Sequence, residues 1–178
     1  IEKMLNEHIN NDDEKRQHHI EGKIHKRINK NTPKNIDLNL VSYQYFEGID
    51  LFAIEGVSHS TVLTLMSEVG LEGIKKFSTA KQFASWLRLS PNNKISGGKV
   101  LSNKIPKGSN RLKIALRNAA NAIGNLKDST PLSDFFKRIN FRKGRVSAIS
   151  ATARKLAVII WNMVTKKVPY FNPENYLF

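Results

Sequence analysis

The chain has 178 residues, 40% of them hydrophobic, no cysteine and a formal net charge of +14. That length suits one domain of ordinary size with an appendage, and the lack of cysteine excludes a disulfide framework, a thiolate nucleophile and thiolate-bound zinc. No apolar run reaches the ~20 residues of a bilayer span, and Ile1-Glu2-Lys3-Met4 looks like neither an initiator nor a signal peptide. The expectation is a cytoplasmic fragment that avoids membranes and whose natural start lies upstream.

From Ile1 to about Asn31 the residues are strongly polar, with a narrow stripe at Ile20, Ile24 and Ile28 that predicts a solvated helical arm seeking a partner. Asn31-Thr32-Pro33-Lys34-Asn35 closes it as a linker, since residues before proline avoid helical geometry. Leu51 to Gly70 then reads as helix, tight hairpin, helix: Gly56 permits the turn, Ser58 caps the second helix, and Gly70 ends it in a left-handed conformation. Thr79 and Gln82 have capping-box spacing and open a helix that carries Phe83, Trp86 and Leu87 inward and ends before Ser90-Pro91.

The next 20 residues, Ser90 to Ser109, hold three glycines, two prolines, four serines and four lysines. They predict a long loop, and loops of that length inside a domain are usually functional or disordered. Ser109 is available to cap a helix over Asn110 to Ile123, with Leu112, Leu116, Ala119 and Ile123 toward the core and Lys113 and Arg117 one turn apart. Thr130-Pro131 starts a helix through Phe135, Phe136 and Ile139, and Gly144 separates it from a last helix over Val146 to Thr165. Pro169, Tyr170, Phe171, Pro173 and Tyr176 form an aromatic surface strap. No strand and no internal repeat is expected. The fold class is all-α: a domain over residues 41–178 containing a helix-hairpin-helix element, preceded by a helical or coiled-coil arm over residues 1–40.

The charge is segregated. Residues 1–40 carry 8 basic and 7 acidic side chains and residues 41–90 carry 4 and 5, whereas residues 91–130 carry 8 and 1 and residues 131–178 carry 9 and 2. A positive field confined to the second half attracts a polyanion. A merely solubilising lysine surface would not need that segregation.

Three features could carry chemistry. At the hairpin, Gly56, Val57 and Ser58 could hold a phosphate on backbone amides at a helix start, although a plain helical hairpin fits as well. In Lys94-Ile95-Ser96-Gly97-Gly98-Lys99 a hydroxyl stands before two glycines and between two lysines; glycines let a phosphodiester approach and lysines neutralise it, the alternative being a flexible basic loop. Its spacing is not that of a nucleotide-binding P-loop. His8, His18, His19, His25 and His59 lack an accompanying carboxylate cluster and read as exposed residues, so no metal site and no cofactor is expected in this chain.

Leu51-Phe52-Ala53-Ile54-Glu55-Gly56-Val57, Phe77-Ser78-Thr79-Ala80-Lys81-Gln82-Phe83-Ala84-Ser85-Trp86-Leu87, Ser96-Gly97-Gly98-Lys99, Lys107-Gly108-Ser109-Asn110-Arg111 and Ala153-Arg154-Lys155-Leu156 follow one another in order. This series resembles the C-terminal domain, of the transposase 20 type, of insertion-sequence transposases related to the pilin-gene invertases, the bridge-RNA-guided serine recombinases. The likeness runs from about Leu51 to Tyr170. It implies an N-terminal RuvC-like domain with four acidic ligands for Mg ions, which these residues do not include, and a connector in the position of residues 1–40. It implies Ser96 as a nucleophile toward a DNA phosphodiester. Lys94, Gly97, Gly98, Lys99, Lys104, Lys107, Asn110 and Arg111 would hold the DNA backbone, and Lys113, Arg117, Arg142, Lys143 and Arg145 would extend the footprint to DNA or a guide RNA. A homo-oligomer of the complete protein is a further implication. The chain departs from the family pattern at Ser58 and Arg88, both commonly glycine, and at Pro106, commonly a hydroxyl residue. Two other readings are a non-catalytic helix-hairpin-helix DNA-binding module and an interaction domain that oligomerises through its arm.

Overall fold

A computed structural model describes residues 24–26, 32, 34–91, 94–102, 108 and 110–170. Most of the arm, and the strap beyond Tyr170, lie outside the described residues. The described part is helical, as expected, with seven α-helices: α1 (Leu38–Tyr45), α2 (His59–Glu68), α3 (Gly70–Lys75), α4 (Ala80–Trp86), α5 (Arg111–Gly124), α6 (Pro131–Lys143) and α7 (Arg145–Lys166). A 3₁₀ turn at Leu51–Ala53 precedes α2, and a two-stranded antiparallel hairpin, β1 (Lys94–Ser96) and β2 (Lys99–Ser102), interrupts the series between α4 and α5.

The centre of the fold is α7. Leu156, Ala157, Val158, Ile159 and Ile160 are consecutive and all buried, and a helix that is apolar all round must be surrounded by protein. It packs on α3, α4, α5 and α6, most extensively on the last two. Ala148, Ala153 and Ala157 keep its surface narrow where these neighbours approach. The Trp161 Nε1 donates to the Phe77 carbonyl at 3.1 Å, fixing α7 to the chain between α3 and α4. A smaller cluster of Leu38 and Val41, with Leu63 and Met66, seats α1 on α2.

The caps follow from residue chemistry. Asp37 accepts from the amides of Asn39 and Leu40 to start α1, and Thr79 accepts from Gln82 N to start α4. The Gln82 side chain accepts from Ser78 N, one residue beyond the Thr79 amide that a reciprocal capping box would use. At α6 the box is complete: Thr130 and Ser133 exchange side-chain to backbone bonds, with Pro131 in the first turn. The cap of α5 is Asn110, not Ser109, its Oδ1 accepting from Lys113 N at 2.6 Å.

Several expectations are corrected. The segment before Gly56 forms one 3₁₀ turn and no helix. The loop after Pro91 contains two strands where none was expected. Trp86 is 45% exposed, its ring lying beside Phe77 and Phe83 at the edge of the core. His59 is buried and packs on Phe52 with ring centroids 5.0 Å apart. Gly70 does take φ +67, but α3 begins there at once, so it joins two helices instead of ending a segment. Tyr170, the first strap aromatic, is half-buried and donates its hydroxyl to the Glu55 carboxylate beside the Gly56 turn.

Candidate nucleic-acid interface

The basic excursion leaves the body at the end of α4 and returns at the start of α5. Its exit is set by a paired closure in which Arg88 N donates to Ser85 O and Leu89 N to Ala84 O, both at 2.9 Å. This closure places the intervening residue in the left-handed region, normally the place of glycine; here it is Arg88, at φ +54. Leu89, buried, pins the strand that follows. At the return, Gly108 has φ +94, and a Cβ there would overlap the Arg88 guanidinium. Arg88 and Gly108 therefore meet, closing the neck of the excursion.

Between them stands the hairpin. Ile95 pairs with Val100 and Ser96 with Lys99, leaving Gly97 and Gly98 as a two-residue turn with φ +55 and +75. Positive φ at both positions is the geometry that suits the twist of a tight hairpin and that glycine adopts without strain. A Cβ at either glycine would meet nothing within 4 Å, so both face open space. Ser96 and Lys99 are exposed on opposite sides of the turn. Ile95 and Leu101, 62% and 69% exposed, stand on the two strands, and the pairing is irregular beside Lys94. Lys104 and Lys107 lie outside the described residues.

At the neck, α5 supplies two further cations. Lys113 is 7% exposed, and its Nζ donates to the Gly108 carbonyl at 2.9 Å. Its pKa lies below the ordinary lysine value because burial disfavours the ammonium and because Arg117 and Arg88 repel it. One turn on, Arg117 Nη1 donates to Ser150 Oγ on α7 at 2.7 Å, and that hydroxyl donates to the Val146 carbonyl. No carboxylate among the described residues pairs with Lys113 or Arg117.

The remaining predicted residues are more dispersed. The Asn110 side chain is committed to capping α5. Arg111 is 85% exposed and lies 3.6 Å from Glu68 on α2. Arg142 and Lys143 end α6 in solvent. Arg145 donates to both Asn121 Oδ1 and Asn125 Oδ1 at 2.7 Å and lies over the Phe136 ring, which makes it a brace between α7 and α5. At the Gly56 turn, a Cβ would come within 2.6 Å of the Ala119 carbonyl on α5. Close packing of turn on helix accounts for that glycine, and Val57 is buried beside it. Ser58 Oγ accepts from Thr61 N, as expected of a cap. Arg88 was absent from the predicted site; the signal for it was a charged residue where the helix closure favours glycine.

Among the described residues no three His, Asp or Glu side chains gather to hold a metal ion, and no helix is long and apolar enough to cross a membrane.

Residues 50–134 match the family model described as Transposase IS116/IS110/IS902 family. The chain is 31% identical over 121 residues to the transposase for insertion sequence element IS1111A of Coxiella burnetii (strain RSA 493 / Nine Mile phase I), an alignment covering 66% of this chain and 33% of that protein. The chain thus spans about one third of the length of the curated relative it matches. No solved structure matches it. The matched segment runs from the 3₁₀ turn through the hairpin and α5 into α6, and over it the chain is similar to the IS116/IS110/IS902 transposase family, as its motifs indicated.

Proposed function

We propose that this chain is the DNA-contacting, strand-transferring C-terminal portion of an insertion-sequence transposase, with Ser96 as the residue that attacks a DNA phosphodiester. The observation that carries the reading is the hairpin: a serine hydroxyl exposed immediately before two glycines that face open space, with Lys99 across the turn. A phosphodiester is bulky and anionic, and a glycine turn with a nearby ammonium admits one without steric or electrostatic conflict.

In this reading the Ser96 Oγ–P bond forms as a P–O bond to a deoxyribose breaks, and the serine proton ends on the departing sugar oxygen. A serine hydroxyl is a weak nucleophile at neutral pH, and the described residues place no base beside it. The reading assigns activation, and Mg binding, to a separate RuvC-like domain, and assigns sequence choice to a guide RNA. Residues 1–40 serve as connector and oligomerising arm, and residues 41–178 as the nucleic-acid domain.

Covalent trapping tests it. Incubated with a nicked suicide duplex, the full-length transposase that contains this chain should yield a phosphoserine adduct mapping to Ser96, and Ser96→Ala should give none while binding DNA with unchanged affinity. An Ala variant that still joins strands would leave the chain as a non-catalytic DNA-binding module.

A further inference from the structure

We infer that Arg88, Lys113 and Arg117 form a preassembled seat for one phosphate group of a nucleic-acid strand at the neck of the hairpin, separate from the exposed turn that carries Ser96. The inference deepens the proposed DNA-contacting role and rests on it for the identity of the strand.

Three cations, one just past the end of α4 and two on α5, converge where the excursion begins and ends. The Arg88 guanidinium lies against Gly108, the Lys113 ammonium bonds the Gly108 carbonyl, and Arg117 stands one turn further along α5. Two of them are placed in a way that the fold alone does not require. Arg88 occupies a left-handed position where glycine would be unstrained. Lys113 is nine-tenths buried beside like charges, with no carboxylate partner among the described residues. The hydrogen-bond inventory is also incomplete in the direction of an anion. Among the described residues, Lys113, with three donor hydrogens, uses one at Gly108, and Arg117, with five, uses one at Ser150. A phosphate with its non-bridging oxygens at this point would take up the remaining donors and relieve the mutual repulsion, and arginine is suited to bind it through two parallel bonds.

A structural role and a phosphate seat predict opposite outcomes for two variants. Lys113→Met removes a buried charge and fills the same volume, and Arg88→Gly removes a left-handed side chain. Both should keep or raise the melting temperature in chloride. Inorganic phosphate, titrated at constant ionic strength, should raise the melting temperature of the native chain, and this rise should vanish in Lys113→Met and Arg117→Gln and shrink in Arg88→Gly. With a duplex oligonucleotide, each of the first two variants should lower the slope of log K against log salt by about 0.9, the value for one lost phosphate contact, whereas Lys75→Gln on α3 should leave it unchanged. The seat is overturned if the native chain shows no phosphate-induced rise, or if Lys113→Met and Arg88→Gly, both folded, retain it. Failure of the DNA-binding reading looks different: the phosphate response is present and lost in the variants, but the native chain does not bind the duplex.

Discussion

Gly56 shows how one residue can be read correctly for the wrong reason. Its place in Ile54-Glu55-Gly56-Val57 marks a turn, and φ is +76 there; what the sequence does not contain is the Ala119 carbonyl and Ile123 side chain, 2.6 and 2.7 Å from where a Cβ would be. Gly56→Ala should therefore combine a left-handed alanine with a backbone collision and cost about 2–4 kcal/mol, read as a lower midpoint in urea unfolding with an unchanged slope. His59 and Trp86 show the reverse error. Periodicity assigns Trp86 inward, yet its large ring sits at the rim beside Phe77 and Phe83. His59, polar by type, is buried against Phe52 because it lies in the first turn of α2, facing the 3₁₀ turn. Neither outcome is fixed by spacing along one helix, because both depend on which neighbour covers that face.

Helix starts were the most legible elements, since a cap is a local event. Ser58, Thr79 and Thr130 each bond amides three residues on, and that pattern is visible in a short window, whereas the start of α1 at Asp37 went unread. The buried face of α5 was legible for the same reason, through Leu112, Leu116, Ala119 and Ile123. The hairpin was not, because strands of three and four residues show almost no alternation and the surrounding serines, prolines and lysines are loop formers. The one clear signal was Gly97-Gly98 itself, a dipeptide able to take two positive φ values in a tight turn. Valine at Gly97 would be forced to φ near +55 and should open the hairpin, whereas asparagine, which tolerates that region, should keep it. Amide hydrogen exchange across β1 and β2 checks this: fast exchange in Gly97→Val with native-like protection in α5 and α7 is the expected result, and persistent strand protection would contradict it. The candidate site was legible as a basic glycine loop with one serine, but its neck was not, since Arg88 and Gly108 are brought together only by the closure of α4 and the return into α5.

Across the whole molecule, acids and bases are sorted by role. Among the described residues, three acids of the first half act as ties within the fold: Glu55 holds Tyr170, Glu68 lies near Arg111, and Glu47 receives Lys167 at 2.8 Å and Lys75 at 3.4 Å. Lys113 and Arg117 at the neck have no carboxylate partner among the described residues, which leaves their field available to a polyanion. Glu47 is the most consequential tie, because it joins the chain after α1 to α3 and to the left-handed end of α7 at Lys167. The Lys167 hydrogen bond, aided by Lys75 and opposed by partial burial, holds its carboxyl below the ordinary value of 4.5. A carboxylate with a depressed folded-state pKa adds stability that is complete above its unfolded value and disappears as pH falls through the lower folded value. Glu47 and its partners are roughly a third exposed or more, so solvent screening keeps the contribution under about 1 kcal/mol. Glu47→Gln should thus lower the melting temperature slightly at neutral pH and converge with the native chain once the pH is well under 4.5. If the gap between the two melting curves stays constant through that acid range, the amide has altered packing instead of charge, and the Glu47–Lys167 ion pair adds nothing to the anchoring of α7.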